Sequence, residues 1–274
     1  MLGVRILYIN GGVMDFGGIS SYMMNYYRYM VDMGVQIDFV VHGNQNGRYD
    51  DEIAKLGGKI YNLPTKRENF IKWKKMLVQI FESGKYKIVH AHADTMNGYI
   101  LSIAKRCGVP VRISHSHNTE HLTNNPIKKI VHNYFGHKII KSATHLWACS
   151  EMAGRWLYKD HAFEVIHNAV DIDKFRYSKR TGWECRNKFN MGKNTLVIGN
   201  IAKFEYQKNH KFLIEVFNEV LKAQYNAIMV LVGAGSNLNQ IKEQAKEAGI
   251  FNNIIFMGNR TDVDKIYNMF DVYV

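Results

Sequence analysis

The sequence predicts an α/β protein with two parallel-sheet domains, and three observations predict it. Short β-rich runs recur along all 274 residues, each followed by a polar or glycine-containing turn and then a stretch with helical spacing. This rhythm occurs as two series, one ending near residue 167 and one starting after residue 190. Between them residues 168–182, NAVDIDKFRYSKRTG, are polar and turn-rich, as an interdomain linker is expected to be. The domain boundary is accordingly placed between 169 and 170, giving domains 1–169 and 170–274.

In the first series the expected strands are 4–9 (VRILYI), 36–41, 59–63, 87–92, 111–116, 145–150 and 163–167. Between the first two, Ile19, Tyr22, Met23, Tyr26, Met30 and Met33 fall on one helical stripe that faces the core, with Gly34 as its stop. Residues 66–81 set Phe70, Trp73, Leu77, Ile80 and Phe81 along one helical side, with Lys72, Lys74 and Lys75 around it. Residues 126–141 open with Pro126 at a first helical position and group Ile127, Ile130, Tyr134 and Phe135 beside Lys128, Lys129, Lys138 and Lys141. Both segments read equally well as core-facing helices with solvated lysines or as basic helices lying in an anionic membrane interface. The second series predicts strands at 195–202, 227–233, 253–258 and 271–274, with helices at 209–222, 237–248 and 261–270. Three helices and four strands make a small half-sheet, and Val274 falls inside its fourth strand. The second domain is therefore expected to be incomplete, a fragment of a longer chain.

Composition narrows the classes. A hydrophobic content of 46% supplies a core, and no segment reaches 18 uninterrupted apolar residues, as a membrane span requires. The apolar run at the N-terminus breaks at Asn10-Gly11-Gly12, too early for a signal peptide. Cys107, Cys149 and Cys185 are widely spaced and odd in number, which argues against a disulfide framework or zinc ribbon and fits a reducing cytoplasm. The formal net charge is +12, and it is uneven: residues 1–165 carry 21 Lys and Arg against 13 Asp and Glu. Such a field attracts anions, so nucleic acid, anionic headgroups and phosphorylated small molecules are all admissible partners.

Several motifs carry candidate chemistry. In INGGVMDFGGISSY (9–22), the pairs Gly11-Gly12 and Gly17-Gly18 sit between a strand and a helix, where backbone amides approach a phosphate closely. The spacing is not GxGxxG, and Asp38 lies mid-strand, so a dinucleotide fingerprint is poorly matched. IVHAHADTMNG (88–98) and RISHSHNTEHL (112–122) each end a strand with histidines two apart. His90 and His92 share one strand face, and His115 and His117 share another, at the ends where open α/β sheets bind ligands. Zinc ligation, satisfied core histidines and a proton-handling role for His117 are the three readings; few carboxylates lie near to complete a metal site. Lys203 and Lys208 lie in a strand-to-helix loop where two ammonium groups would neutralise a phosphate, and LVGAGSN (231–237) is a second glycine-rich turn suited to a nucleotide.

Taken in series, these motifs resemble the family-4 glycosyltransferases, retaining enzymes of the GT-B architecture, especially those that build capsular and extracellular polysaccharides. The resemblance runs the whole length: FGGIS, IVHAH, ISHSHNT, ACS, VIHNAVDIDKF, KFEYQKNH, LVGAGSN and FMGNRTDVDKIYNMFDVYV occur in family order. It implies two Rossmann-like domains facing a cleft, the first binding a glycan or lipid-linked acceptor and the second a nucleotide-sugar donor. His117 would occupy the position of the family's active-site histidine, and Lys203 and Lys208 the basic pair that stabilises the departing diphosphate. Donor binding is placed at Gly17, Gly18, Asn200, Gly233 and Gly235, and acceptor or sugar contact at His90, His92, His115 and Asn168. No metal or other cofactor is expected, because fixed positive groups and a helix N-terminus do the electrostatic work. The implied location is the cytoplasm, peripheral at the inner face of the plasma membrane, with no specific nucleic acid as partner.

Two departures from the family pattern matter. The first member of the basic pair is Lys203 rather than the usual Arg, which keeps the charge and loses the bidentate fork. The E-x7-E element that contacts the donor would lie beyond Val274, so the 274-residue chain alone is expected to have little or no transferase activity, whereas an extended chain transfers. The alternatives are a non-enzymatic basic anion-binding module, with affinity falling steeply in salt, and a nicotinamide-dependent oxidoreductase, which the absent GxGxxG opposes.

Overall fold

A computed structural model describes residues 4–121, 125–223 and 225–274. By its internal contacts the chain divides into two units, 1–169 and 170–274. In the first, seven strands pair into one parallel sheet: β1 (Arg5–Asn10), β2 (Gln36–His42), β3 (Ile60–Leu63), β4 (Ile88–His92), β5 (Val111–Ser116), β6 (His145–Ala148) and β7 (Glu164–Val165). Their order is β3-β2-β1-β4-β5-β6-β7, so the chain winds outward from β1 and then returns to its other side at β4. This reversal between β1 and β4 is the switch point at which the carboxyl ends of such a sheet leave a ligand crevice.

The helices between these strands are α1 (Gly18–Asp32), α2 (Asp50–Lys55), α3 (Phe70–Glu82), α4 (Asn97–Arg106), α5 (Pro126–Ser142) and α6 (Glu151–Tyr158). Alternation along β1 divides the core. Leu7 and Ile9 pack with Trp73 and Leu77 of α3 and Ile100 and Leu101 of α4, whereas Ile6 and Tyr8 pack with Tyr22, Met23 and Tyr27 of α1. Each fully buried large side chain contributes roughly 1.5–3 kcal/mol, so both layers stabilise the sheet between them.

The predicted stripe on α1 holds except at its end. Met33 is 81% exposed, because it is the capping residue and the chain has already left helical geometry there; Met24 and Tyr27 are buried instead. In α3, Asn69 caps the helix by accepting from Lys72 N–H at 2.8 Å, and Trp73, Leu77, Ile80 and Phe81 face the core. The core-facing reading is thus the one α3 takes. In α5, capped by Asn125, Ile127, Ile130, Val131 and Tyr134 are exposed and only Ile139 and Ser142 are buried.

The second unit is a four-stranded parallel sheet of β8 (Leu196–Ile201), β9 (Ala227–Val232), β10 (Ile254–Gly258) and β11 (Val272–Tyr273), in the order β10-β9-β8-β11. Four helices accompany it among the described residues: α7 (Lys179–Lys188), α8 (His210–Lys222), α9 (Leu238–Glu247) and the short α10 (Val263–Ile266), which continues as a 3-10 turn at Tyr267–Met269. Residues 168–178 of the expected linker form no helix or strand, whereas the helix α7 takes its last four residues, 179–182. Its sequence, KRTGWECRNK, is too polar to show an apolar stripe, and it is held by other means. Ser178 caps it, a Cβ at Gly182 would collide with the Asn268 carbonyl, and Arg186 donates to Met269 O at 2.9 Å and pairs with Asp271 at 2.7 Å.

Candidate active site

Two adjacent strands bring four imidazoles together at their carboxyl ends. Period two along β4 puts His90 and His92 on one face, and the same period puts His115 and His117 beside them at the end of β5. His90 Nε2 lies 3.1 Å from His115 Nδ1, and His92 Nδ1 lies 2.8 Å from His117 Nε2. The rings stack, with interplanar angles of 12° for His115 and His117 and 17° for His90 and His115. Tyr8 of β1, Tyr22 of α1 and Trp147 of β6 close around them edge-on.

Burial grades the four. His90, His92 and His115 are enclosed, whereas His117 is half-buried. The three enclosed rings therefore stand behind His117, and their effect on a ligand passes through it. Loss of hydration holds His117 down at about 4, and it also pushes His90, His92 and His115 below the usual histidine range, with the neighbouring imidazoles adding to the effect. All four are consequently neutral near pH 7.

The nitrogens of His90, His92 and His115 lie within 4.8 Å of one another, close enough to raise the metal reading again. Two hydrogen bonds between rings engage His90 Nε2, His115 Nδ1 and His92 Nδ1, whereas His92 Nε2 and His115 Nε2 bond no described group.

Sequence reasoning missed Asp94 and Asn97. Asp94 begins a 3-10 turn directly after β4 with φ 47°, and its carboxylate accepts from Asn118 Nδ2 at 2.5 Å and from the His117 backbone N–H at 3.4 Å. It ties the loop after β4 to the loop after β5. Burial pushes its carboxyl up, partly countered by those two donors. Asn97 donates to Ser114 Oγ at 3.0 Å and His115 O at 3.3 Å while accepting from Ala93 N–H at 2.8 Å. The signal available was HAHAD itself, a carboxylate two residues past the histidine pair.

The glycine loop stands at the same end of the sheet, since Asn10 of β1 is in register with His92 of β4. Gly17 adopts φ 148°, and a Cβ at Gly11, Gly12 or Gly18 would meet nothing within 4 Å, so there is space beside this loop, although the Gly11 N–H already donates to Asn10 Oδ1 at 2.8 Å. Asp38 is occupied structurally: it pairs with Arg5 at 2.7 Å and accepts from Tyr86 OH at 2.6 Å. Asn168 is exposed, and its neighbours are anchored to α1 by bonds from Tyr26 OH to His167 O and from Asn25 Nδ2 to Ala169 O. His121 turns elsewhere. It bonds Asn133 of α5 and lines a cavity of about 330 Å³ with His137, Trp156 and His161, to which none of the four stacked histidines contributes.

In the second unit Lys203 and Lys208 lie on the loop between β8 and α8, both exposed, and neither has an ion pair among the described residues. The nearby Glu205 instead accepts from Ser236 Oγ at 2.9 Å. Gly233 and Gly235 have a packing reason: a Cβ at either would strike the backbone at Ala202 or Phe204, so the loop after β9 lies directly on the lysine loop. Asn200 Nδ2 donates to Val274 O at 2.6 Å. A further residue that sequence reasoning missed, His210, opens α8 beneath this loop, stacked on Phe204 at 4.1 Å with neither ring nitrogen bonded.

Two Rossmann-like units in series are the fold of the GT-B glycosyltransferases. Residues 16–174 match Glycosyltransferase Family 4 and residues 182–274 match Glycosyl transferases group 1, and the chain belongs to the family-4 glycosyltransferases. It is 31% identical to the protein described as glycosyltransferase EpsF of Bacillus subtilis (strain 168), over 98% of this chain and 72% of that one. Among solved structures, Anabaena HepE in complex with UDP-glucose superposes with a TM-score of 0.79 at 14% identity, covering 98% of this chain and 72% of HepE. WaaG, a glycosyltransferase involved in lipopolysaccharide biosynthesis, gives 0.72 at 12% identity, covering 98% and 74%. These two likenesses establish the fold.

Proposed function

We propose that the protein transfers a sugar from a nucleotide-sugar to a glycan or lipid-linked acceptor, with retention of anomeric configuration, in polysaccharide synthesis of the capsular or extracellular kind. The observation that carries this reading is His117: a neutral, half-exposed imidazole at a strand end, clasped by His92 and backed by Tyr22 of the helix that follows the glycine loop. The HepE complex with UDP-glucose supports a uridine diphosphate donor. In the first unit His117 takes the transferred sugar and Gly17 and Gly18 the donor; in the second, Lys203 and Lys208 neutralise the departing diphosphate. Negative charge grows on the diphosphate as the glycosidic C–O bond breaks, so groups that are already fixed and positive stabilise the transition state more than the ground state. The acceptor hydroxyl attacks on the same face, and its proton passes to a departing phosphate oxygen, which retains the configuration. This chemistry draws its electrostatics from protein groups without a metal. Asn200, Gly233 and Gly235 take the donor side, and Asn168 the acceptor side.

The protein acts in the cytoplasm at the inner face of the plasma membrane, held there by the exposed, basic face of α5. The donor reading is tested with protein expressed from its complete reading frame and a panel of radiolabelled nucleotide-sugars. Lys203→Ala and Lys208→Ala each lower kcat by about 100-fold, the order found when one oxyanion-stabilising group is removed. Unchanged kcat in both variants would overturn the role of the pair, and binding of polyanions without turnover of any nucleotide-sugar would favour the anion-binding module instead.

A further inference from the structure

The hydrogen bond between His92 and His117 has a direction, and the burial around it decides which. Each ring is neutral, so each carries one N–H, on either of its two nitrogens. If His117 Nε2–H donates, His92 must carry its own proton on Nε2. That atom is enclosed and bonds no described group, in a side chain only 1% exposed. An orphaned N–H buried in this way costs roughly 1–3 kcal/mol and is rarer in proteins than an orphaned acceptor. If His92 Nδ1–H donates, the unpartnered Nε2 is a bare acceptor, and the proton of His117 is moved to its outer nitrogen. The neighbouring pair repeats the logic: His115 Nε2 is also enclosed and unbonded, so His115 donates from Nδ1 to His90 Nε2.

We infer that His92 is a positioning residue whose Nδ1–H donates to His117 Nε2 and so fixes His117 as the tautomer with its proton on Nδ1. Which ring nitrogen of a functional histidine is protonated is set by the partner of the other one, and here that partner is a second histidine instead of the usual carboxylate or carbonyl. No described group bonds His117 Nδ1, so that N–H is the one a ligand meets. His117 then serves as a hydrogen-bond donor to a hydroxyl or to developing negative charge, not as a base. The Asp94 carboxylate accepts from the backbone N–H of the same residue at 3.4 Å and so helps to hold the loop that carries His117.

The catalytic meaning of this assignment rests on the transferase reading; the tautomer itself does not. Nitrogen-15 NMR of histidine-labelled protein distinguishes a protonated from a bare ring nitrogen and needs no substrate. The expected spectrum shows His117 protonated on Nδ1 and bare on Nε2. His92→Phe, which keeps the ring volume and removes the donor, moves the proton of His117 toward Nε2 and lowers kcat about ten-fold or more with KM for the donor within about two-fold. His92→Asn, whose amide nitrogen stands near the place of Nδ1, restores the wild-type pattern and most of kcat. Wild-type His117 protonated on Nε2, or an unchanged tautomer in a folded His92→Phe protein, would overturn the inference. The expected tautomer in a protein that consumes no nucleotide-sugar would support it while sinking the transferase reading.

Discussion

At the scale of residues, the informative feature of His117 is that its surroundings keep it neutral. Its pKa in the folded protein is held at about 4, against about 6.5 in an unfolded chain, and His90, His92 and His115 shift in the same direction. As pH falls below about 6.5, the unfolded chain binds protons that the folded cluster refuses, so the folded state loses stability progressively toward pH 4. The urea midpoint is therefore expected to be flat above about pH 7.5 and to fall by pH 5; an equal midpoint at both would contradict a buried neutral cluster. That His90 and His92 share one strand face, and His115 and His117 another, was legible because strand alternation is strict; that β4 and β5 are neighbours in the register that brings the four rings together was not. Asp94 was legible only as a carboxylate two residues past the histidine pair, because its place between the two loops depends on a left-handed backbone turn that Asp tolerates but does not announce. Gly233 and Gly235 were visible as a glycine-rich turn, yet part of their cause, contact with the backbone of Ala202 and Phe204, is a long-range fact that no local pattern carries.

Among the elements, α3 and α5 show what composition leaves open. Both combine large apolar residues with several lysines, and both suited a core or an interface. The α3 face is consumed by the sheet, whereas α5 leaves Ile127 and Ile130 71% and 70% exposed beside Lys128, Lys129 and Lys138. Apolar residues lowered into an anionic bilayer recover the hydrophobic transfer energy, and each nearby lysine adds about 1 kcal/mol. The protein is thus expected to sediment with vesicles containing phosphatidylglycerol at low salt, and Ile127→Ser with Ile130→Ser reduces the bound fraction several-fold without changing the circular dichroism. Equal sedimentation of the variant would remove α5 as the contact. The helix α7 escaped the sequence reading for the converse reason: its attachment is made by Ser178, Gly182 and Arg186 through polar contacts and close backbone approach, none of which has a period.

At the scale of the whole molecule, the division into two α/β units was legible because strand and helix signals repeat in two series. One unit carries an imidazole cluster and the other a loop with two exposed lysines that have no ion pair among the described residues. Neither the histidines nor the lysines alone specify an activity; their occurrence in one chain, in the order the family uses, is what makes sugar transfer the reading that accounts for both. That claim turns on His117. The direct test is the initial rate of labelled sugar transfer by protein from the complete reading frame, compared with its His117→Ala variant after both are shown to fold. The account predicts nucleotide-sugar-dependent transfer that falls by about 100-fold or more in the variant, on the scale of a lost transition-state contact. Equal rates in the two proteins, or no consumption of any nucleotide-sugar by the wild type, would contradict it.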